Sequence, residues 1–232
     1  DHGGRIHFTD EITFSSSQIL NRHFGIFPEE TDRYLRDCRA DPTFTEISRE
    51  FEKLAGKKVL IIGEAIIDRY TFVVPMGKSA KSAAISVQHQ RTENYAGGTL
   101  AVANHAASFV DQVALVTGLG GKGAQGLDGK AFMRGHLRDN IEPHLFEFSE
   151  AQTIVKERFV DSDTMTKLFE MYYFEQEPQA SAAEEAQVCR WLEANLGEFD
   201  AVIVPDYGNG MLTPRMIEVI CAHSPYLAVN AQ

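Results

Sequence analysis

Tyr95–Gly126, YAGGTLAVANHAASFVDQVALVTGLGGKGAQG, carries the pattern that decides the fold of this chain. A glycine pair, Gly97-Gly98, opens an Ala-rich amphipathic run, and a short apolar run, Val113–Thr117, then closes on glycines. Two residues without side chains at a helix start let backbone amides come close to a polar ligand. The alanines permit close packing of the helix on a sheet. An apolar run ending in glycine has the form of a strand covered on both faces. Glycine turn, helix and buried strand in that order predict a ligand site on an α/β scaffold.

The flanking segments extend the same reading. Upstream, KVLIIGEAIIDRY (Lys58–Tyr70) predicts a buried strand over Val59–Ile62 that ends at Gly63, with Asp68 just beyond it. Ligands of open parallel sheets gather outside the carboxyl ends of the strands. Asp68 is therefore placed to accept hydrogen bonds from substrate hydroxyls, and capping a turn is the other role open to it. Tyr70–Val74 and Ala84–Gln90 alternate as strands around PMGKSAKSA, and Gln152–Val160 and Lys167–Phe174 do so around DSDTM. These pairs predict hairpins standing off the main sheet, suited to a lid or a dimer contact. Helices are expected over Leu127–Asp139 and Ser181–Leu196. Asp200–His223 reads as a buried strand, a glycine-rich turn and a helix started by Thr213-Pro214, where proline suits the first turn. Tyr226–Val229 begins another strand. Strands alternating with helices predict a mainly parallel sheet wound with helices.

Pro28–Lys57 differs in style. Leu35, Phe44, Ile47, Phe51 and Leu54 recur at helical spacing, interrupted at Asp41-Pro42, which predicts a helical linker over residues 28–56. Nearer the amino terminus, Ser15-Ser16-Ser17 precedes Ile19 and Leu20 as a helix start. It serves either as a plain N-cap or as a phosphate-binding helix terminus.

Composition excludes several classes. The formal net charge of −11 over 232 residues argues against a nucleic-acid or anionic-membrane surface, which needs clustered Lys and Arg. Cys38, Cys189 and Cys221 lie far apart with no CxxC spacing, which fits a reducing cytoplasm better than a disulfide framework or a zinc site. No apolar run approaches the roughly 20 residues of a membrane helix. The amino terminus has no signal-peptide pattern and no initiator Met, so the chain is expected to begin inside a longer protein. Gly118, Gly120 and Gly123 match GxGxxG, but the glycine run is longer than the tight dinucleotide fingerprint. Gly77-Lys78-Ser79 lacks the upstream glycine of a phosphate loop, since Phe72 stands there. No HExxH spacing marks a zinc enzyme, and no GxSxG marks a hydrolase elbow.

Five separated segments, VLIIGEAIIDRY, NYAGGTLAVANHAA, VALVTGLG, TIVKERF and VIVPDYGNGMLTP, stand in the order seen in the PfkB or ribokinase-like carbohydrate kinases. Residues 57–232 most resemble the heptose phosphate kinase branch, with its GDxMLDRY, PGGAANVAxN, TxxKxR and SDYGKGxLT motifs. EITFSSSQIL, within residues 1–27, is similar to the last motif of the cytidylyltransferase-like nucleotidyltransferases. The resemblance thus implies part of a bifunctional sugar kinase and nucleotidyltransferase, with the transferase first. It implies a ribokinase-like α/β fold with a β-hairpin lid (strands about 70–91 and 152–174) whose carboxyl-terminal part is missing here.

The same resemblance implies roles for individual residues. Asp68 binds sugar hydroxyls, and Gly97 and Gly98 bring amides to the sugar. Asn104 faces the same pocket from one helical turn on. Lys156 and Arg158 are lid cations suited to a phosphate already on the sugar. Asp206, with Tyr207 and Gly208, lies near the junction of sugar and triphosphate. The implied reaction is in-line transfer of a phosphoryl group from ATP, with Mg2+, to a sugar hydroxyl, and the implied assembly is a homodimer through the lid strands. The family's GxGD segment, with its catalytic base, lies beyond the end of this chain, so no carboxylate present is assigned that role. Ala101, Lys122 and Asn209 depart from the family's Asn, acid and Lys. These departures keep open a non-catalytic sugar-binding or dimerisation module, and the transferase half is a third candidate for the main activity.

Overall fold

The computed structural model describes residues 27–40, 43–79, 82–174 and 180–231. The chain divides into two compact units, Asp1–Phe51 and Glu52–Gln232. In the first, the described elements are α1 (Glu29–Ala40) and all but the last residue of α2 (Thr43–Glu52). Glu29, Glu30 and Asp32 in the first turn of α1 complement the helix dipole, and Arg36 pairs with Asp32 at 2.9 Å. The expected helix start at Ser15–Ser17 and the nucleotidyltransferase-like motif lie outside the described residues.

The second unit contains two sheets. The main sheet has five strands, all parallel: β1 (Lys58–Ile62), β4 (Gln112–Gly120), β5 (Ile141–Phe148), β8 (Ala201–Asp206) and β9 (Leu227–Ala231). Their order is β5-β4-β1-β8-β9. From β1 the sheet grows toward β4 on one side and β8 on the other, which makes the carboxyl end of β1 a topological switch point. Leu60, Ile61 and Ile62 are fully buried. One face of the sheet is covered by α3 (Thr99–Ala106) and α4 (Gly129–His136), through Leu100, Ala103 and Met133. The other is covered by α5 (Ala182–Asn195) and α6 (Pro214–His223), through Val188, Leu192 and Met216. Strands buried on both sides explain the unbroken apolar runs in the sequence. α6 starts as expected: the Thr213 hydroxyl accepts from Met216 N at 3.2 Å and Pro214 opens the first turn.

The second sheet is the lid. β2 (Ala65–Lys78), β3 (Ile85–Gly98), β6 (Ile154–Asp161) and β7 (Lys167–Tyr173) lie in the order β3-β2-β6-β7, as two antiparallel hairpins joined by a parallel β2–β6 pair. Both hairpins occur where alternation predicts them, but β2 and β3 are longer. Only two residues, Gly63 and Glu64, separate β2 from β1. Asp68 consequently lies on a lid strand, paired with Tyr95 and Lys156, and not in a loop outside the core strand. The reason is that Ala65, Ile66 and Ile67 are covered on both faces at the lid's root, so the apolar run continues through the switch. On the lid face that carries Thr71 and Glu157 a hydrogen-bonded chain crosses all four strands. Tyr173 donates to Glu157, the Thr71 hydroxyl donates to the other Glu157 oxygen, and Thr92 links Thr71 to His89.

β5 was not legible as a strand. Pro143 sits inside it, a residue that a central strand excludes, but β5 is an edge strand paired only with β4. α5 carries a full capping box: Ser181 accepts from Glu184 N, and Glu184 accepts from Ser181 N at 2.7 Å. The other Glu184 oxygen accepts from Ser149 N at 2.8 Å and ties the helix to the turn after β5. Burial pushes the Glu184 carboxyl up, but the bonds from Ser149 and Ser181 outweigh it and bring it down to about 2 from 4.5. A depressed carboxylate contributes stability that is present above pH 4.5 and is lost as pH falls toward 2. Urea unfolding at pH 5 and pH 2.5 should therefore show a smaller acid-induced loss for Glu184→Gln than for the unaltered chain.

Candidate functional site

The lid face that carries Asp68 and the carboxyl end of β1 define the site. Cross-strand register fixes which side chains share that face. One row runs Tyr95–Asp68–Lys156–Tyr172 and the next runs Glu93–Tyr70–Arg158–Glu170. Asp68 and Arg158 form a half-buried ion pair, and Glu170 approaches the same guanidinium at 3.8 Å. Burial works against the charge on Arg158, but its bond to Asp68 and the nearby acids more than offset this and raise its pKa. The rings of Tyr70 and Tyr95 meet edge to face at 5.7 Å, and the Arg158 guanidinium lies 5.2 Å from the Tyr70 ring. Further up the lid, Arg91 lies over Phe72 at 3.7 Å and pairs with Glu93 at 2.7 Å. Asp68, Tyr70, Phe72, Arg91, Glu93, Tyr95 and Arg158 line an open cavity of about 600 Å3 that also takes in Val160, Met165 and Lys167.

Gly97 and Gly98 end β3 at the root of this face, immediately before α3. A Cβ on Gly97 would lie 2.2 Å from Asp68 Oδ2, so only glycine leaves the carboxylate where it is. Gly98 has φ +53 and, having no side chain, offers α3 no side-chain cap; the Thr99 amide donates instead to the Glu64 carbonyl at 3.1 Å. Gly97→Ala is expected to displace Asp68 without unfolding the chain and, if Asp68 takes the sugar hydroxyls that the resemblance implies, to weaken sugar binding, as calorimetric titration alongside circular dichroism would show. Thr99 Oγ1 is buried with no hydrogen-bond partner among the described residues. Thr99→Val preserves the shape and removes that orphan, so thermal denaturation should show a gain of about 1 kcal/mol.

Across the pocket is the loop after β8. The Lys156 ammonium stands 5.8 Å from the Tyr207 ring and 5.6 Å from that of Tyr172, which places the lid face toward this loop. Burial raises the Tyr207 pKa, with smaller contributions from Glu64 and Asp68. Glu64, only 1% exposed, holds the loop in place. Its carboxylate accepts from Tyr207 N and from Asn209 N, each at 3.0 Å. The Gly208 amide donates to Asp206 Oδ1 at 2.9 Å. The amides of Tyr207, Gly208 and Asn209 are thus all committed within the protein and do not fit as donors to a triphosphate. What the loop presents outward is side chains, those of Asp206 and Tyr207.

The structure therefore brings Asp68, Gly97, Gly98, Lys156 and Arg158 together and sets the Asp206–Gly208 loop opposite them. It does not bring Asn104 there. The Asn104 side chain donates to the His136 carbonyl at 2.8 Å and accepts from Arg138 N at 3.0 Å, pinning the end of α4. Over the eight residues of α3 the helical turn carries position 104 to that side. Glu64 was missed as a site residue. The available signal was an acid directly between two buried apolar runs, which has to find buried partners. Of the GxGxxG glycines, Gly118 and Gly120 serve chain packing, a Cβ on Gly120 striking the Gln152–Thr153 backbone at 2.3 Å, while Gly123 has open space around it and serves a turn at φ +92. Among the described residues no group of three or more His, Cys, Asp or Glu side chains is arranged to hold a metal ion.

The parallel sheet with a second, strand-built sheet rooted at its switch point is similar to solved structures. Escherichia coli phosphofructokinase-2 in complex with fructose-6-phosphate matches 76% of this chain and 55% of its own, with TM-score 0.51 and 13% identity. The same enzyme with substrates and products matches with TM-score 0.52 and 11% identity over 76% of this chain and 54% of its own. The fold is ribokinase-like. No family model matches the chain. Curated relatives of this ribokinase-like chain include the bifunctional protein HldE of Citrifermentans bemidjiense, 25% identical over 187 residues, or 79% of this chain and 37% of that protein. The D-beta-D-heptose 7-phosphate kinase of Bordetella bronchiseptica is 28% identical over 175 residues, covering 74% of this chain and 51% of its own length. The chain spans about half or less of the length of these relatives.

Proposed function

We propose that this chain supplies the sugar-binding side of an ATP-dependent carbohydrate kinase that acts on a sugar phosphate, within a bifunctional kinase and nucleotidyltransferase. The observation that carries the proposal is Asp68 seated against Gly97 and flanked by Lys156 and Arg158 at the switch point. A carboxylate there accepts from sugar hydroxyls, and the two cations suit a phosphate ester. In this reading ATP, with Mg2+, is the second substrate and approaches past the Asp206–Tyr207 side chains. Phosphoryl transfer of this kind depends on positioning and charge stabilisation more than on covalent help. No carboxylate of the described site is assigned as the base, so the chain by itself binds sugar phosphate weakly and turns over no ATP.

Isothermal titration with D-β-D-heptose 7-phosphate tests the binding, and a coupled ATPase assay tests the turnover. Saturable binding without sugar-dependent turnover is expected. The absence of binding refutes the first statement, and turnover refutes the second. The working assembly in this reading is a homodimer through the lid. Leu168, Phe169, Met171 and Tyr172 on β7 are each at least 40% exposed, more apolar surface than a solitary edge strand usually shows. Sedimentation equilibrium should give a dimer that Phe169→Glu dissociates. A cytoplasmic location belongs to the same proposal. No helix among the described residues is long and apolar enough to cross a membrane.

A further inference from the structure

Asp68 is not idle in the absence of a ligand. Its Oδ1 is bonded to Arg158 Nη1, while Oδ2 lies against the bare Cα of Gly97. Both side chains are about three-quarters covered, at 25% and 23% exposed. The guanidinium has a second acid beside it, Glu170, which is itself held by Lys167 and Tyr172. Lys156, the in-register neighbour of Asp68, makes no ion pair among the described residues and stands between two tyrosine rings.

We propose that the Arg158–Asp68 pair is a latch that an anionic group on the sugar opens, the anion drawing away the guanidinium and releasing Asp68 to accept the sugar's hydroxyls. The inference rests on the sugar-binding reading above and assigns to one ion pair the choice between charged and neutral sugars. A neutral sugar must break a half-buried charge pair and offers Arg158 nothing in return. Losing the nearer of its two carboxylates is costly for a guanidinium in that setting, since Glu170 at 3.8 Å is the longer contact. A phosphorylated sugar exchanges one anionic partner for another, and the planar fork of arginine matches a phosphate with two parallel bonds. Lys156 then balances the carboxylate that Arg158 has left. Selectivity of this kind comes from a penalty on the wrong ligand as much as from attraction to the right one.

Isothermal titration of this chain with D-β-D-heptose 7-phosphate, and with the same heptose lacking its phosphate, tests the latch. The unaltered chain is expected to prefer the phosphate ester by about 100-fold or more, a ratio worth two tenfold steps in affinity. Arg158→Met should weaken the ester by about 100-fold and tighten the neutral heptose by roughly five- to tenfold, changes of opposite sign. Glu170→Gln removes a competitor for the guanidinium and should tighten the ester several-fold while leaving the neutral heptose alone. If Arg158→Met does not fold by circular dichroism, Arg158→Gln carries the same pair of titrations. Weakening of both ligands by the arginine variant would overturn the latch, make Arg158 a positioning residue for Asp68, and leave the sugar-binding reading standing. Failure of the unaltered chain to bind either ligand would remove that reading and the latch together.

Discussion

An Asp68→Ala chain is expected to keep its fold and lose its affinity for D-β-D-heptose 7-phosphate. In the proposed function the carboxylate accepts from sugar hydroxyls at the base of the lid, and charge-assisted bonds to hydroxyls contribute about 1.5–3 kcal/mol each, so losing two weakens binding by about 100-fold or more. Stability should change little. The Asp68–Arg158 pair is only partly buried, and Arg158 keeps Glu170 as a neighbour at 3.8 Å. With Asp68 gone and no ligand in its place, the guanidinium keeps Glu170 and can turn toward water, so the loss of stability stays within about 1–2 kcal/mol. Titration calorimetry and a thermal melt on the same sample separate the two effects. Loss of the cooperative melt would show Asp68 to be a structural cap, the alternative that sequence reading leaves open.

Glu64→Gln should act in the reverse way, on the fold before the ligand. The Glu64 carboxylate takes two backbone donors, Tyr207 N and Asn209 N, in a position closed to water. Glutamine offers one oxygen and turns an NH2 group toward the other amide, so a donor faces a donor. One charge-assisted bond becomes neutral and another is lost with its amide left unpaired, a cost of about 3 kcal/mol. For a unit of this size that lowers Tm by about 10 °C. Hydrogen exchange locates the effect: the Tyr207 and Asn209 amides should lose protection, while strands β1 and β4 keep theirs. Unchanged Tm and unchanged exchange would show that the loop holds itself, through Gly208 N and Asp206, without Glu64. Sugar affinity should fall as well, because the loop facing Lys156 is no longer fixed.

Much of the architecture was legible because burial leaves a local trace. A strand covered on both faces must be apolar throughout, as Leu60–Ile62 and Val113–Val116 are, and a helix start shows its cap, as Thr213-Pro214 does. The two lid hairpins were visible from alternation. Their lengths were not, because Ala65–Ile67 reads equally well as the end of one strand or the beginning of another. β5 was hidden by Pro143, whose tolerance depends on being at a sheet edge. Asn104 had the right residue type one turn past the glycine pair, yet its amide is spent on the His136–Arg138 turn.

By itself the sequence determined an α/β chain with a strand-built lid and put an aspartate and a glycine pair at its root. Those features follow from periodicity and from side chains that are present or absent within a few residues of each other. Only the tertiary structure decided the partners. Arg158 reaches Asp68 across 90 residues of chain, and Glu64 meets the amides of Tyr207 and Asn209 across 143 and 145. Which charges meet is set by the register of strands paired in space, and one residue of slip would send Arg158 to the lid's other face.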